Sequence, residues 1–320
     1  MDLIWRRRVA THPGDLAAWW VGSTETLDRL GRGDAELTPR VLVLHGFTGS
    51  GRAVGDLVER LGARLGPATS FLVPDLPGHG ASAHLTDAGA ASVEAAAARL
   101  VSMLGDGVPV DVVGYSMGGR VGLTLAALAP ERLRSLVTIG ARPGLGDPGE
   151  RRARQAADDE LAARMLREGV GAFADRWEAL ALWEHLAERC DPEVFEFTRE
   201  VRRSCDADGL AQSLIQGGTG AMEPVDLAGL GVDHLSVVGA DDTALVGLWR
   251  SLLGKLHPVR TGLPGGSFEH GGVVGQGRGG GSGSIELVEI PDSGHAVHLE
   301  QPGPLVEVIK RFWADRTSGD

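Results

Sequence analysis

Ser116 is the residue of this sequence that is best placed to do chemistry. It lies at the centre of a Gly-Tyr-Ser-Met-Gly run at 114–118, after the β-branched run 110–113 and before the small-residue run 121–127. That order predicts a strand, a sharp turn and a helix, and such a turn strains the serine backbone and exposes its Oγ. The pattern therefore indicates a serine that either attacks a substrate or takes part in removing a proton from it.

A serine needs a histidine to take its proton and a carboxylate to orient that histidine. Where the serine lies on a turn of this kind, the chain order is serine, acid and histidine, each after a strand. This sequence supplies Ser116, then Asp241 or Asp242, then His295, each after a predicted strand. We favour Asp242 because it lies three residues after Gly239, which is the usual spacing for the acid of such a triad. The alternative for either aspartate is a solvated turn residue at the surface.

Backbone N–H groups beside the serine are expected to stabilise negative charge on a reacting substrate. A His-Gly-Phe turn at 45–47 follows the predicted buried strand 41–44. Its position predicts the N–H of Phe47 as one donor of an oxyanion hole, with the N–H of Met117 as the other. The alternative is an ordinary tight turn with no part in binding.

Composition narrows the class of protein. The chain has 320 residues, 42% of them hydrophobic and 23% charged, and a formal net charge of −12. That acidic balance argues against general nucleic-acid binding, which depends on Lys and Arg against phosphates. Cys190 and Cys205 are too few for a disulfide scaffold and lack metal-ligand spacing, so we expect free thiols and no metal. The sequence has neither a signal-peptide core nor a membrane span, which by elimination predicts a cytoplasmic protein.

Strands and helices alternate along most of the chain, which predicts an α/β fold with a mostly parallel central sheet flanked by helices. The alternation stops after the predicted strand 135–139 and resumes with the strand pattern at 234–238. The segment between is rich in Ala, Leu, Glu and Arg and predicts amphipathic helices. We therefore divide the chain into a first part of the core, an inserted helical lid and a second part of the core, at 1–142, 143–222 and 223–320.

Two segments lie outside this alternation. Residues 3–10 and 16–21 predict an opening hairpin around a polar turn. Residues 262–283 are rich in glycine and predict a flexible surface insertion.

Three glycine-rich turns together resemble the α/β-hydrolase superfamily, namely residues 44–50, 75–80 and 114–120. The lid narrows this resemblance. It is similar to the lid of the 2-succinyl-6-hydroxy-2,4-cyclohexadiene-1-carboxylate synthase family of menaquinone biosynthesis. The matching residues are 143–145, 150–154, Asp158, Phe173 with Trp177, Arg202, 209–214 and 218–220. The likeness extends from about residue 40 to 315, with the glycine-rich insertion as an interruption.

The resemblance implies a lyase without a cofactor. In that family the Ser-His-Asp triad assists proton abstraction from a cyclohexene ring, pyruvate leaves, and a conjugated diene forms. The implied partner is a small substrate with several carboxylates. Substrate contacts are implied for Tyr115, Arg120, Arg154, Trp177 and Arg202.

The residues themselves support one part of this hypothesis. Arg120 lies four residues after Ser116, so the two side chains share one helix face. Guanidinium groups suit the capture of carboxylates. Alternatives remain at each position: Arg154 and Arg202 as surface residues beside lid carboxylates, Arg120 in an ion pair across the sheet, and Trp177 or Tyr115 as packing residues.

A second hypothesis for the same residues is a hydrolase of esters or carbon–carbon bonds, in which Ser116 becomes covalently attached to the substrate. A third is a receptor or interaction protein on this fold, which an intact triad makes less favoured. The sequence alone leaves open whether Ser116 relays a proton or forms a bond.

Overall fold

The central strands form because their residues are β-branched and apolar, a composition that suits burial on both faces of a sheet. A computed structural model describes residues 3–8, 14–31, 40–256, 272–278 and 283–317 of the chain. The strands are β1 (Ile4–Arg7), β2 (Ala18–Gly22), β3 (Val41–Leu44), β4 (Phe71–Pro74), β5 (Val110–Tyr115), β6 (Leu133–Ile139), β7 (His234–Gly239), β8 (Gly272–Arg278) and β9 (Ser284–Ile290).

Within those ranges the strands form one nine-stranded sheet in the order β1-β2-β4-β3-β5-β6-β7-β9-β8. The six strands from β4 to β9 in that order run parallel, whereas β1, β2 and β8 pair antiparallel at the two edges. The carboxyl ends of β5, β6 and β7 therefore lie side by side, and side chains that follow these strands meet at one edge. The predicted fold class is confirmed.

Eleven α-helices occur in the described residues. They are α1 (Thr24–Gly31), α2 (Gly55–Leu65), α3 (Val93–Leu104), α4 (Met117–Leu128), α5 (Pro148–Glu178), α6 (Leu186–Arg189), α7 (Pro192–Arg203), α8 (Ala207–Gly217), α9 (Thr243–Lys255), α10 (Val297–Glu300) and α11 (Pro302–Thr317). Side-chain caps fix the residues at which several of these helices begin, because the side-chain oxygen of an N-cap residue accepts a free N–H of the first turn. Asp147, Asp191, Asp206 and Asp242 cap α5, α7, α8 and α9 in this way. None of the helices searched among the described residues is long and apolar enough to cross a membrane.

Apolar side chains cover both faces of the sheet. Leu100 of α3, Leu123 of α4 and Trp249 of α9 belong to the cluster on one face. Leu61 of α2 and Phe312 of α11 belong to the cluster on the other. Burial on both sides fixes the central strands, and with them the loops at their carboxyl ends.

The helices α5 to α8 lie between β6 and β7 in the chain, inside the interval 143–222 that the sequence predicts as a lid. Gly169 interrupts α5 with a φ of 84°, a left-handed conformation that glycine adopts without a Cβ clash. The first half of α5 packs closely on the turn that follows α8, since a Cβ on Gly220 would lie 2.5 Å from the backbone nitrogen of Gln155. Met165 and Phe173 are buried between these helices.

The opening segment and the glycine-rich segment both contribute strands to the edges of the sheet. β1 pairs antiparallel with β2, so the opening hairpin is confirmed, while its turn at 9–13 lies outside the described residues. In the glycine-rich segment predicted as a flexible insertion, residues 272–278 instead form β8, which pairs antiparallel with β9. The remainder of that segment up to residue 282 lies outside the described residues.

Trp249 connects the core to the loop after β6. It is fully buried in α9 and donates a hydrogen bond from its Nε1 to the carbonyl oxygen of Ala141, at 2.8 Å. Trp249→Phe removes this donor and leaves space around the smaller ring. We expect the free energy of unfolding to fall by about 2–4 kcal/mol, measured by chemical denaturation.

The matched control is Ser251→Ala, at an exposed position of the same helix. It should change the free energy of unfolding by no more than about 0.5 kcal/mol. Equal stability of Trp249→Phe and wild type would contradict the role given to this hydrogen bond.

Candidate active site

The turn between β5 and α4 holds Ser116 in a left-handed conformation, with a φ of 49°. Such a conformation costs a non-glycine residue of order 1–3 kcal/mol and persists only where the surroundings impose it. Here they do so by close contact. A Cβ on Gly118 would lie 2.4 Å from the carbonyl oxygen of Leu44, and one on Gly114 would lie 2.5 Å from the carbonyl oxygen of Gly118. Only glycine fits at these two positions.

The structure brings Ser116, His295 and Asp242 together in one hydrogen-bonded chain. Ser116 Oγ lies 3.0 Å from His295 Nε2, and His295 Nδ1 lies 2.9 Å from Asp242 Oδ2. The side chains of His295 and Asp242 are 14% and 10% exposed. With Nδ1 donating to the carboxylate, Nε2 is left to accept the proton of Ser116.

Asp242, and not Asp241, contacts His295. Its other oxygen accepts the backbone N–H of Leu245 at 3.2 Å, because Asp242 is also the N-cap of α9. Burial by itself raises the pKa of Asp242, but hydrogen bonds from His295 and Leu245 and the charge of Arg142 outweigh it and hold the pKa below its usual value. The carboxylate is therefore charged when it orients His295.

Glu300 holds the loop that carries His295. It is buried and accepts the backbone N–H groups on either side of the histidine, from Gly294 at 2.9 Å and from Ala296 at 3.3 Å. Arg189 of the lid helix α6 donates to Glu300 at 3.3 Å and to Asp241 at 2.7 Å. Arg189 is thus tied to the two loops of the core that supply Asp242 and His295.

The turn at 45–47 lies directly against Ser116. A Cβ on Gly46 would be 2.7 Å from the ring of Tyr115 and 3.5 Å from Cβ of Ser116. His45 fixes the turn, since its Nε2 accepts the N–H of Leu76 at 2.9 Å and its Nδ1 donates to the carbonyl of Gly46 at 2.8 Å. Burial lowers the pKa of His45 to about 4, so it stays neutral. The role of this histidine is therefore to satisfy backbone groups of the two turns.

The two oxyanion-hole positions flank Ser116. Met117 is the first residue of α4, where the N–H groups of the first turn have no acceptor within the helix. Phe47 lies in the turn that packs on Ser116, and its ring contacts His79 and Trp177 at centroid distances of 5.7 and 5.5 Å. The oxyanion role of both residues stays a prediction.

The Ser116–His295 pair opens into a cavity of about 300 Å³ whose wall includes Tyr115, Arg120, Arg154 and Trp177. Trp177 stacks on Phe173 at 5.5 Å. The Tyr115 ring lies 5.7 Å from that of His295, and burial raises the pKa of its phenol. The tyrosine therefore remains a hydrogen-bond donor. Four of the five predicted substrate contacts share this cavity with the triad.

Arg120 and Arg154 have protein partners of different kinds. Arg120 donates to the carbonyl oxygen of Gly217 at the end of α8 and contacts the sulfur of Met222 at 3.8 Å. Arg154 contacts both oxygens of Asp158 through its Nε, at 3.0 and 2.9 Å, and its side chain is 43% exposed. Because only Nε is engaged within the part of the chain that the structure describes, the Nη groups of Arg154 are available to a ligand there.

Arg202, the fifth predicted contact, lies outside this cavity. It pairs with Glu178 at 2.8 Å and donates to Thr48 Oγ1 at 3.3 Å. It lines a neighbouring cavity of about 490 Å³ between lid helices and a small one beneath the 45–47 turn. Its contact with a substrate stays a prediction.

Two residues of the cavity wall were missed by the sequence analysis. Trp183, from the segment between α5 and α6, lies edge-on to His295 with ring centroids 5.6 Å apart. Arg142 follows β6 by three residues. Its place just beyond the carboxyl end of a central strand is a signal that could have found it. Nothing in the local pattern marks Trp183, because the lid sets its position.

Positive charge accumulates in the cavity. Burial lowers the pKa of Arg120 to about 10, and the charges of Arg154 and Arg142 act in the same direction. Burial and the charge of Arg154 likewise lower the pKa of Arg142. The three guanidinium groups repel one another, so an anion that enters the cavity is attracted by all of them. Within the described ranges no group of three or more His, Cys, Asp or Glu residues could hold a metal ion.

Comparison with known proteins agrees with this geometry. A family model described as alpha/beta hydrolase fold matches residues 39–205. A solved structure of MenH from S. aureus superimposes with a TM-score of 0.73 at 21% identity, covering 96% of this chain and 100% of that one. At that identity the likeness supports the shared fold.

Two relatives carry the same name. A Bacillus subtilis (strain 168) protein, provisionally named 2-succinyl-6-hydroxy-2,4-cyclohexadiene-1-carboxylate synthase, is 31% identical over 280 residues, which cover 85% of this chain and 89% of the relative. The enzyme of that name from Enterobacter sp. (strain 638) is 38% identical over 140 residues, covering 43% of this chain and 52% of the relative.

The contacts of Glu300 predict that it positions His295. In Glu300→Gln the amide nitrogen faces one of the two N–H donors, and the charge that pairs with Arg189 is lost. Small displacements of catalytic groups are costly, so we expect the rate of fluorophosphonate labelling of Ser116 to fall about 10-fold or more.

Glu307→Gln serves as the control, because Glu307 is an exposed residue of α11 that pairs with Arg64 on the surface. It should label at the wild-type rate. The role of Glu300 would be refuted by a Glu300→Gln protein that is folded, as judged by circular dichroism, and labels as fast as wild type.

Proposed function

Because this chain belongs to the 2-succinyl-6-hydroxy-2,4-cyclohexadiene-1-carboxylate synthase family of the α/β-hydrolase superfamily, we propose that it is a lyase of menaquinone biosynthesis. Its substrate is 2-succinyl-5-enolpyruvyl-6-hydroxy-3-cyclohexene-1-carboxylate, from which it eliminates pyruvate. The observation that carries the proposal is the group of guanidinium side chains in the cavity with Ser116. A substrate with several carboxylates needs such cations, whereas a neutral ester does not.

The elimination is balanced without an oxidant or a reductant. A base removes the hydrogen from the ring carbon that carries the succinyl group. That electron pair forms a new ring double bond, the existing double bond moves by one position, and the carbon–oxygen bond to the enolpyruvyl group breaks. The departing enolate takes up one proton and becomes pyruvate, and the ring is left as the 2,4-diene.

The triad supplies the base for this step. His295 takes the proton of Ser116, and the serine oxygen takes the proton of the ring carbon. The hydrogen bond of 3.0 Å between Ser116 Oγ and His295 Nε2 supports this relay. Asp242 keeps His295 in the required tautomer and stabilises the positive charge that forms on it. In this role Ser116 forms no bond to the substrate.

Negative charge that leaves the ring carbon spreads onto the succinyl carbonyl oxygen. The backbone N–H groups of Phe47 and Met117 are proposed to bind that oxygen, and preorganised donors of this kind stabilise a developing enolate. Phe47 and Trp177 form an aromatic wall beside it, with ring centroids 5.5 Å apart. Such a wall excludes water and strengthens the hydrogen bonds to the anion.

Arg120 and Arg154 are proposed to hold carboxylates of the substrate. Arg120 lies on the same helix face as Ser116, one turn further along α4. Arg154 reaches the cavity from the lid and is oriented by the buried carboxylate of Asp158. One cation on the core and one on the lid fix the ring between them, so that the reacting hydrogen faces Ser116.

The first test is release of pyruvate from the enolpyruvyl substrate, measured in a coupled assay. Wild type should release pyruvate, and Ser116→Ala should lower kcat by about 100-fold to 10,000-fold, the range typical of lost acid–base catalysis. Ser102→Ala, an exposed serine of α3, is the control and should match wild type.

Absence of pyruvate above the uncatalysed background with wild-type enzyme would overturn the proposal. If that enzyme instead turned over small activated esters rapidly, a hydrolase with a covalent intermediate would be favoured.

The proposed binding of substrate carboxylates by Arg120 and Arg154, the carboxylate clamp, is tested separately. Arg154→Gln keeps a donor for Asp158 but loses the charge, so KM should rise about 10-fold or more while kcat changes little. Arg164→Gln provides the matched control, because Arg164 lies on the same helix, pairs with Glu160 and does not line the cavity. An unchanged KM in Arg154→Gln would reject the clamp even if pyruvate is released.

A further inference from the structure

Arg142 differs from the other two arginines of the cavity in having no hydrogen-bond acceptor among the residues that the structure describes. Arg120 donates to a carbonyl oxygen of α8, and Arg154 donates to Asp158. Asp242 is the carboxylate of the triad that influences Arg142, but its oxygens already accept from His295 and the N–H of Leu245. Among the described residues Arg142 therefore lines the same cavity without a hydrogen bond or ion pair, although the charges of Asp242 and Glu150 act on it from a distance.

The backbone around Arg142 is fixed on both sides. The carbonyl oxygen of Ala141 accepts the indole N–H of Trp249 at 2.8 Å. The carbonyl oxygen of Pro143 accepts the N–H of Val225, also at 2.8 Å. These bonds anchor the residues before and after Arg142 to the core, so only its side chain has to be ordered when it binds a ligand.

The loop also lies against the catalytic histidine. Gly140 has a φ of 61°, and a Cβ there would lie 2.8 Å from the carbonyl oxygen of His295. Arg142 thus lies two residues after Gly140, whose backbone is in close contact with His295 of the triad. A partly buried guanidinium without a partner is destabilising, and burial together with the charge of Arg154 lowers its pKa. A bound anion would offset that cost.

We infer that Arg142 binds one carboxylate of the substrate and supplies the third guanidinium of the cavity, beside Arg120 and Arg154. This inference rests on the proposed function for the identity of the substrate, but the anion site itself does not depend on it. Arg142 selects substrates that carry a third carboxylate, and it takes no part in the proton transfer. Arg202, which lies outside this cavity and pairs with Glu178, does not fill that position.

Arg142→Gln tests the inference in the enzymatic reaction. A charged hydrogen bond to a carboxylate is worth enough to raise KM about 10-fold to 100-fold, while kcat stays within about threefold. Arg142→Lys, which keeps the charge, should recover part of the loss. Arg167→Gln, at an exposed position of α5 outside the cavity, is the control and should keep the KM of wild type.

A binding measurement separates this inference from the proposed reaction. The two probes are propane-1,2,3-tricarboxylate and glutarate, which has the same carbon chain but lacks the central carboxylate. Each is titrated into each protein at low salt by calorimetry. Wild type and Arg167→Gln should bind the tricarboxylate at least about 10-fold more tightly, and Arg142→Gln should bind both alike.

Each outcome decides one question. A wild type that releases no pyruvate but prefers the tricarboxylate, with the preference lost in Arg142→Gln, would reject the reaction and support the anion site. The inference is wrong if wild type shows no preference for the tricarboxylate, if Arg142→Gln retains that preference, or if its KM equals that of wild type.

Discussion

The close approach of α4 to the end of β3 is the constraint on which the rest of the site depends. Gly118 permits it, because a Cβ there would lie 2.4 Å from the carbonyl oxygen of Leu44. The approach holds Ser116 in its left-handed conformation, and it also brings the Phe47 turn beside the serine. Two buried layers of apolar side chains keep the strands in register on either side of this contact. The strain at one residue is therefore maintained by packing across the whole sheet.

Around this rigid centre the protein collects positive charge at some cost to its own stability. Burial and the charge of Arg154 lower the pKa of Arg120 and of Arg142, and Asp158 pairs directly with Arg154 alone among the three. Such an arrangement is unfavourable in the empty cavity and becomes favourable when anionic groups enter it. The chain as a whole carries a net charge of −12, whereas three guanidinium groups line this one cavity.

Much of this architecture could be predicted from local sequence. Apolar strands, the turn at 114–118 and the order of Ser116, Asp242 and His295 follow from short-range patterns that the core obeys. The spacing from Gly239 already favours Asp242 over Asp241, and in the structure Asp242 is the one that contacts His295, while Asp241 pairs with Arg189. Trp183 and Arg202 depend on how lid helices pack, which no local pattern encodes. Residues 272–278 pair with β9 despite a composition that favours a coil, since pairing at a sheet edge overrides propensity.

The break at Gly169 has a consequence for how such a site can evolve. The arm of α5 before it carries Arg154 and Asp158 and packs against the turn after α8 through the close contact at Gly220. The arm after it carries Trp177, which belongs to the aromatic wall, and Phe173, on which Trp177 stacks. Arg154 and Trp177 thus lie on two separate arms of one helix that meet at Gly169. Substitutions that change the aromatic side of the cavity can therefore accumulate on one arm while the position of Arg154 on the other arm is kept.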